Sequence, residues 1–104
     1  MFKAPANRFA SFGVVAVLPD DLIDQIWVII DHNLQGVFPL NQNLLTFELR
    51  ADQKDHLQYV YRSEATQNVI AFDTDYAYQD SFPETLLVYD DGRAQTILLP
   101  QEAN

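Results

Sequence analysis

Cysteine is absent from this chain, and its absence removes three possibilities at once. No disulfide can staple the fold, no thiolate can hold zinc, and no thiol can act as a nucleophile. Glycine is nearly as scarce. Gly13, Gly36 and Gly92 are the whole supply, too few for a loop that wraps a phosphate in backbone amides. Basic side chains number six against fifteen acidic ones, a net charge of −9. A surface of that sign does not bind nucleic acid or anionic lipid by releasing counterions. Nowhere do about twenty apolar residues follow one another, so no membrane-crossing helix is expected.

What is present is a chain of 104 residues, 48% hydrophobic and 12% aromatic. That is enough apolar matter for one core and too much for a disordered acidic tail. The expected unit is a single domain over residues 1–104. One segment imitates a targeting signal: Lys3 and Arg8 precede an uncharged run from Phe9 to Leu18. The run leads straight into Pro19-Asp20-Asp21 without a small-residue cleavage site, so a cytoplasmic protein is the expectation. Phe12–Leu18 itself reads as a strand that feeds a helix.

The helix is marked by periodicity. Wound at 100° per residue, Leu22, Ile23, Ile26, Trp27, Ile29, Ile30 and Leu34 share one side, and Asp24, Gln25, Asp31, His32 and Gln35 take the other. Pro19 suits a first helical position, and Asp20, Asp21 and Asp24 suit the positive end of the helix dipole. Gly36 can take the left-handed conformation that ends a helix. Beyond it the period falls to two. Leu45, Phe47 and Leu49 alternate with polar residues, and Leu57, Tyr59 and Tyr61 alternate with Gln58, Val60 and Arg62, with Ala51–Asp55 as the connecting loop. A short apolar run, Val69–Asp73, follows. Thr85–Tyr89 and Ala94–Leu99 are joined through Asp90-Asp91-Gly92-Arg93, a hairpin signal in which both central residues favour positive φ. The order β-α-β-β-β-β-β predicts an α+β domain. One amphipathic helix, about 19–35, would pack on one face of an antiparallel sheet of about five to six strands.

Gly13, the Pro19-x-x-Leu22 step, Trp27, Ile30-Asp31, Leu45-x-Phe47-Glu48-Leu49, Tyr89-Asp90-Asp91-Gly92 and Thr96-Ile97-Leu98-Leu99-Pro100 together form a further pattern. It resembles the small proteins of low-GC Gram-positive bacteria grouped as domain-of-unknown-function family 960, over nearly the whole chain. The resemblance implies the same fold and a cytoplasmic location. It carries no activity with it. Thr74–Pro83 has no counterpart in the pattern and reads as a loop.

Chemistry-bearing residues are dispersed. His32 and His56 share no metal-ligand spacing with a carboxylate, and both read as surface histidines. Asp73, Asp75, Asp80 and Glu84 lack the glycine and closing glutamate of a calcium loop. Ser11, Ser63 and Ser81 have no nucleophile-elbow context. No catalytic residue, metal ligand or cofactor is therefore expected, and the chain reads as a non-enzyme. Charge says more. Residues 63–104 hold one base, Arg93, against eight acids. Asp73, Asp75, Tyr76, Tyr78, Asp80, Phe82 and Glu84 interleave acids with aromatics, as a docking face for a basic protein would. The expectation is an acidic protein–protein interaction or adaptor module, with no direct nucleic-acid or membrane contact. A small-molecule binder with a pocket between helix and sheet, walled by Trp27, Tyr59 and Tyr61, is one alternative. A nucleic-acid mimic that fills a basic protein groove is the other. Nothing in the pattern selects an oligomeric state.

Overall fold

Alternation of buried and exposed side chains builds the sheet. The computed structural model describes residues 2, 7–40, 42–63 and 66–103. It contains strands β1 (Asn7–Ala10), β2 (Leu44–Ala51), β3 (His56–Arg62), β4 (Val69–Ala77), β5 (Thr85–Asp90) and β6 (Ala94–Leu98). Their order across the sheet is β1-β6-β5-β2-β3-β4. Four of the neighbouring pairs are antiparallel, but β1 runs parallel to β6, with Asn7 opposite Ala94 and Ala10 opposite Ile97. The sheet is therefore mixed, not antiparallel throughout. After β1 the chain passes through its helices to the middle of the sheet, and only the last strand returns to lie beside the first. A parallel pair requires a long connection of this kind.

Phe12–Val17 is a helix, α1, where the sequence predicts a strand. The β-branched residues favour a strand, but the flanks overrule them. Ser11 caps the helix, its hydroxyl accepting the Val14 N–H at 3.2 Å, and the Leu18 N–H closes the far end on the Val14 carbonyl at 2.9 Å. Gly13 then meets the short 3₁₀ turn Pro100–Glu102. A Cβ at Gly13 would stand 2.8 Å from both the Leu99 side chain and the Glu102 carboxylate.

The main helix, α2, spans Asp20–Ile29, with Pro19 at the cap and not inside the first turn. It continues as a π-helical turn, Ile30–Leu34, in which the Gln35 N–H reaches the Ile30 carbonyl at 3.1 Å. Gly36 follows with φ +82°, as the sequence predicts. Leu22, Ile23, Ile26, Ile29, Ile30 and Leu34 are buried against Leu45, Phe47, Leu49, Leu57, Tyr59, Tyr61, Leu86, Val88 and Ile97. Val14 of α1 joins the same cluster, so both helices cover one face of the sheet. No helix among the described residues is long and apolar enough to cross a membrane.

Two long side chains fix α2 across the sheet. On the outer strand β4, the Tyr76 hydroxyl donates to Asp21 at 2.7 Å. On the opposite outer strand, β1, Arg8 donates to both oxygens of Asp31 at 2.7 Å. In between, the Tyr59 hydroxyl donates to the Leu22 carbonyl at 2.9 Å. Six strands span about 24 Å at their usual spacing, and the helix crosses that width with help from the reach of tyrosine and arginine.

Strand β4 continues to Ala77, well into the segment read as a loop, with a register shift opposite His56 and Gln58. The β5–β6 turn also differs in detail. In this turn only Gly92 has positive φ, +93°, while Asp91 does not, and the Asp91 N–H donates to the Ala94 carbonyl at 3.1 Å. The two-residue turn is therefore Gly92-Arg93, the form that needs positive φ only at its first position.

Candidate functional site

The densest polar constellation lies where α2 ends above β1 and β6. Arg8, Gln95 and Asp90 all point to the covered side of the sheet. Arg8 grips Asp31, donates its Nε–H to Gln95 Oε1 at 2.9 Å, and stacks its guanidinium 4.7 Å from the Trp27 ring centre. Asp90 accepts the Gly92 and Phe2 N–H groups, each at 2.8 Å, and the Gln95 amide at 3.4 Å. The Phe2 carbonyl accepts from Gln35 at 2.8 Å, and the Phe2 ring is fully buried. The Arg8 guanidinium, through its hydrogen bonds, holds the Asp31 carboxyl below its ordinary value despite partial burial. For Asp90, burial pushes the carboxyl up, but the Phe2, Gly92 and Gln95 donors together bring it below the ordinary value. Among the described residues, no buried side-chain nitrogen or oxygen lacks a partner. This network clamps helix, outer strand and Phe2 together. Arg8, its centre, escapes a reading by motif, and its alternation with Ala10 on the covered face of β1 was the available signal.

The residues read as a pocket are not brought together. Trp27 stands over β1, beside Arg8. Tyr59 and Tyr61 lie on β3, a strand roughly 19 Å from β1 at normal spacing, and Tyr59 meets α2 more than a turn earlier, at Leu22. Tyr59 is fully buried and Tyr61 all but so, and Tyr61 packs against Phe38 and Phe47 with ring centres 5.4 and 5.5 Å apart. Burial pushes the Tyr59 phenol far above its ordinary value, so it donates to Leu22 as a neutral hydroxyl. These aromatics are core.

The acidic-aromatic segment divides as well. Phe82 is buried in the core, and Tyr78 is half-buried, edge-on to it at 5.9 Å. Neither is a free anchor. Tyr76 turns toward α2, where its bond to Asp21 raises its own pKa. Asp73 faces the other side of the sheet and accepts from Gln58 at 2.7 Å. Asp75, Asp80 and Glu84 are exposed. No group of three metal-ligating side chains converges among the described residues. His32 is exposed on α2, and the His56 backbone N–H, with that of Lys54, donates to Asp52, which lowers the Asp52 pKa. A shallow cleft of about 410 Å³ opens between α1 and the β4–β5 connection, lined by Val17, Pro83, Glu84, Leu99 and Pro100.

The opposite face of the sheet was not singled out by sequence, and among the described residues no helix covers it. Register places Phe9, Thr96, Tyr89 and Leu44 in one row across β1, β6, β5 and β2. Leu98, Leu87 and Thr46 form the next row, over β6, β5 and β2. Phe9 is 56% exposed, Leu44 and Tyr89 40% each. Over β2, β3 and β4 the same face turns polar. Arg50 donates to Gln58 at 3.0 Å and Gln58 to Asp73, while Arg62 lies 3.9 Å from Glu48. Val60 is buried among these side chains, on the side away from the core.

A family model described as "Staphylococcal protein of unknown function (DUF960)" matches residues 7–102. The crystal structure of a protein of unknown function from Enterococcus faecalis is similar throughout. It is 41% identical, the match covers 99% of this chain and 95% of that one, and the TM-score is 0.92. No curated protein matches.

Proposed function

We propose, for a chain that belongs to domain-of-unknown-function family 960 and takes no assigned activity from it, a cytoplasmic protein–protein interaction module without catalysis. Its docking surface is the uncovered face of the sheet. The observation that carries this reading is the contiguous row of Phe9, Tyr89 and Leu44 with Leu87 and Leu98 beside it, large apolar side chains on a face without a helix. A soluble protein seldom leaves such a patch open unless something binds it. The acidic-aromatic segment serves less well, because two of its three aromatics are spent on the protein's own core. A non-catalytic role is supported by the carboxylates. Asp31, Asp52, Asp90, Asp91 and Glu102 are all shifted down by hydrogen bonds within the fold, so these five are engaged by the protein's own donors.

The test is site-specific photo-crosslinking in the native cytoplasm, with the reactive group at Tyr89 or at Val28 on the outer side of α2. Adducts from Tyr89 and not from Val28 are expected. Equal yields at the two positions, or none at Tyr89, would overturn the reading.

A further inference from the structure

We infer that the occupant of the uncovered sheet face is a second copy of this chain, packed face to face as a two-layer β-sandwich. The inference rests on the docking surface proposed above and goes further by naming what covers it. Three observations favour self-association.

The first is charge. Within its regular pairing the face carries Arg50 and Arg62 against Glu48 and Asp73, with the exposed Asp75 further along β4, a near balance in a chain of net charge −9. Two copies of so acidic a molecule repel each other over most approaches. This face brings them together where positive and negative charge nearly balance, and it has little acidic excess to attract a basic partner.

The second is its division. The apolar rows run across β1, β6 and β5 and end on β2 at Leu44 and Thr46, and a polar ladder of Glu48, Arg50, Gln58, Arg62 and Asp73 covers the rest of β2, with β3 and β4. A two-fold axis in the interface plane, perpendicular to the strands, lays apolar half on apolar half. It also sets the polar halves of the two copies on the same side, beside the apolar contact. A patch that satisfies itself in this way is what an isologous dimer needs. Aligned sheets pack about 10 Å apart with their inner side chains interleaved, and the projecting Phe9, Leu44 and Tyr89 supply that layer.

The third is size. Six strands present about twenty outward residues, the number a standard interface uses on each side.

The chain's lack of cysteine makes the test clean. Analytical ultracentrifugation of the purified protein at tens of micromolar should give twice the 11.9 kDa chain mass. Tyr89→Glu and Leu44→Glu should return it to the chain mass with an unchanged circular dichroism spectrum. If either variant fails to fold, single-cysteine variants Thr46→Cys and Thr96→Cys, treated with a short bismaleimide, should form covalent dimers. His32→Cys on the outer side of α2 should not. A wild-type protein that stays at the chain mass up to about 1 mM overturns the inference. So does a dimer that both glutamate variants leave intact, or one crosslinked through His32→Cys alone. A monomeric protein that still gives adducts of another mass from Tyr89 in the native cytoplasm would sink the second copy and leave the docking surface standing. Absence of adducts under both conditions would sink both.

Discussion

Gly92 stands at φ +93° with no atom within 4 Å of the place a Cβ would occupy. Its role is therefore purely conformational: the turn needs a left-handed residue, and crowding is not an issue. Gly92→Val should destabilise by about 1–3 kcal/mol, since a β-branched residue resists positive φ. Gly92→Asn should cost less, because asparagine tolerates that region. Urea titrations of the pair check the ordering. The Arg8–Asp31 pair is a different kind of dependence, electrostatic and partly shielded, with side chains 16% and 25% exposed. Asp31→Asn should cost about 1–3 kcal/mol at neutral pH, since it removes a bidentate charged contact and leaves Arg8 half-buried without it. The sign of its pH dependence follows from the lowered Asp31 pKa. A carboxyl held down in the fold contributes stability above its unfolded value, and that contribution is lost as pH falls through the folded one. Wild type and Asp31→Asn should therefore converge in stability below about pH 4, the usual aspartate range. A gap that persisted at pH 2 would mean the loss at neutral pH has another origin.

At the scale of elements, the helix and the outer strands rest on different physics. Ile26 and Ile30 are fully buried on the inner side of α2, so truncating either to alanine should cost about 2–4 kcal/mol through the cavity left behind. His32→Ala, on the outer side, should change stability by less than about 0.5 kcal/mol. Denaturant midpoints of the three variants decide whether the helical phase is right. Gly13→Val should cost about 1–3 kcal/mol by forcing Leu99 and the 3₁₀ turn outward. The helix and strands β2, β3, β5 and β6 were legible because each buries one side, and burial on one side imposes a period on the sequence. Strand β1 was not, because four residues are too few for a period and its pairing depends on β6, at the far end of the chain. Val14, Val15 and Val17 misled because local preference for extended backbone yields to the Ser11 cap and the Gly13 contact, neither of which announces itself in composition. The end of β4 was missed for want of apolar alternation, since an edge strand is exposed and Asp73 and Asp75 also guard it against stray pairing. For the candidate site, Trp27, Tyr59 and Tyr61 were recognisable as inner residues. Their separation was not, because it follows from the direction in which α2 crosses the sheet. The uncovered face escaped notice for a related reason: Phe9, Tyr89 and Leu44 become neighbours only once the strand order is known.

At the scale of the whole molecule, a net charge of −9 sets how it meets anything else, and ionic strength separates two kinds of partner. A basic protein drawn to the exposed Asp75, Asp80 and Glu84 would associate fastest at low salt and slow as salt screens the attraction. A second copy behaves in the opposite way. Two acidic molecules repel at long range, so screening removes a barrier, while the nearly balanced charges of the uncovered face leave little attraction to lose. The dimer association rate should therefore rise between about 20 and 200 mM salt, where the Debye length falls from roughly 20 Å to below 10 Å. Dissociation should change little, because it is governed by the apolar rows through Phe9, Tyr89 and Leu87. Replacing Asp80 and Glu84 together by asparagine and glutamine should raise the low-salt association rate and flatten its salt dependence, though neither residue lies on the paired part of the face. Stopped-flow dilution and mixing of fluorescently labelled protein at several ionic strengths measures all three quantities. An association rate that falls with salt would mean that attraction between opposite charges, and not an apolar face freed from repulsion, brings the two chains together.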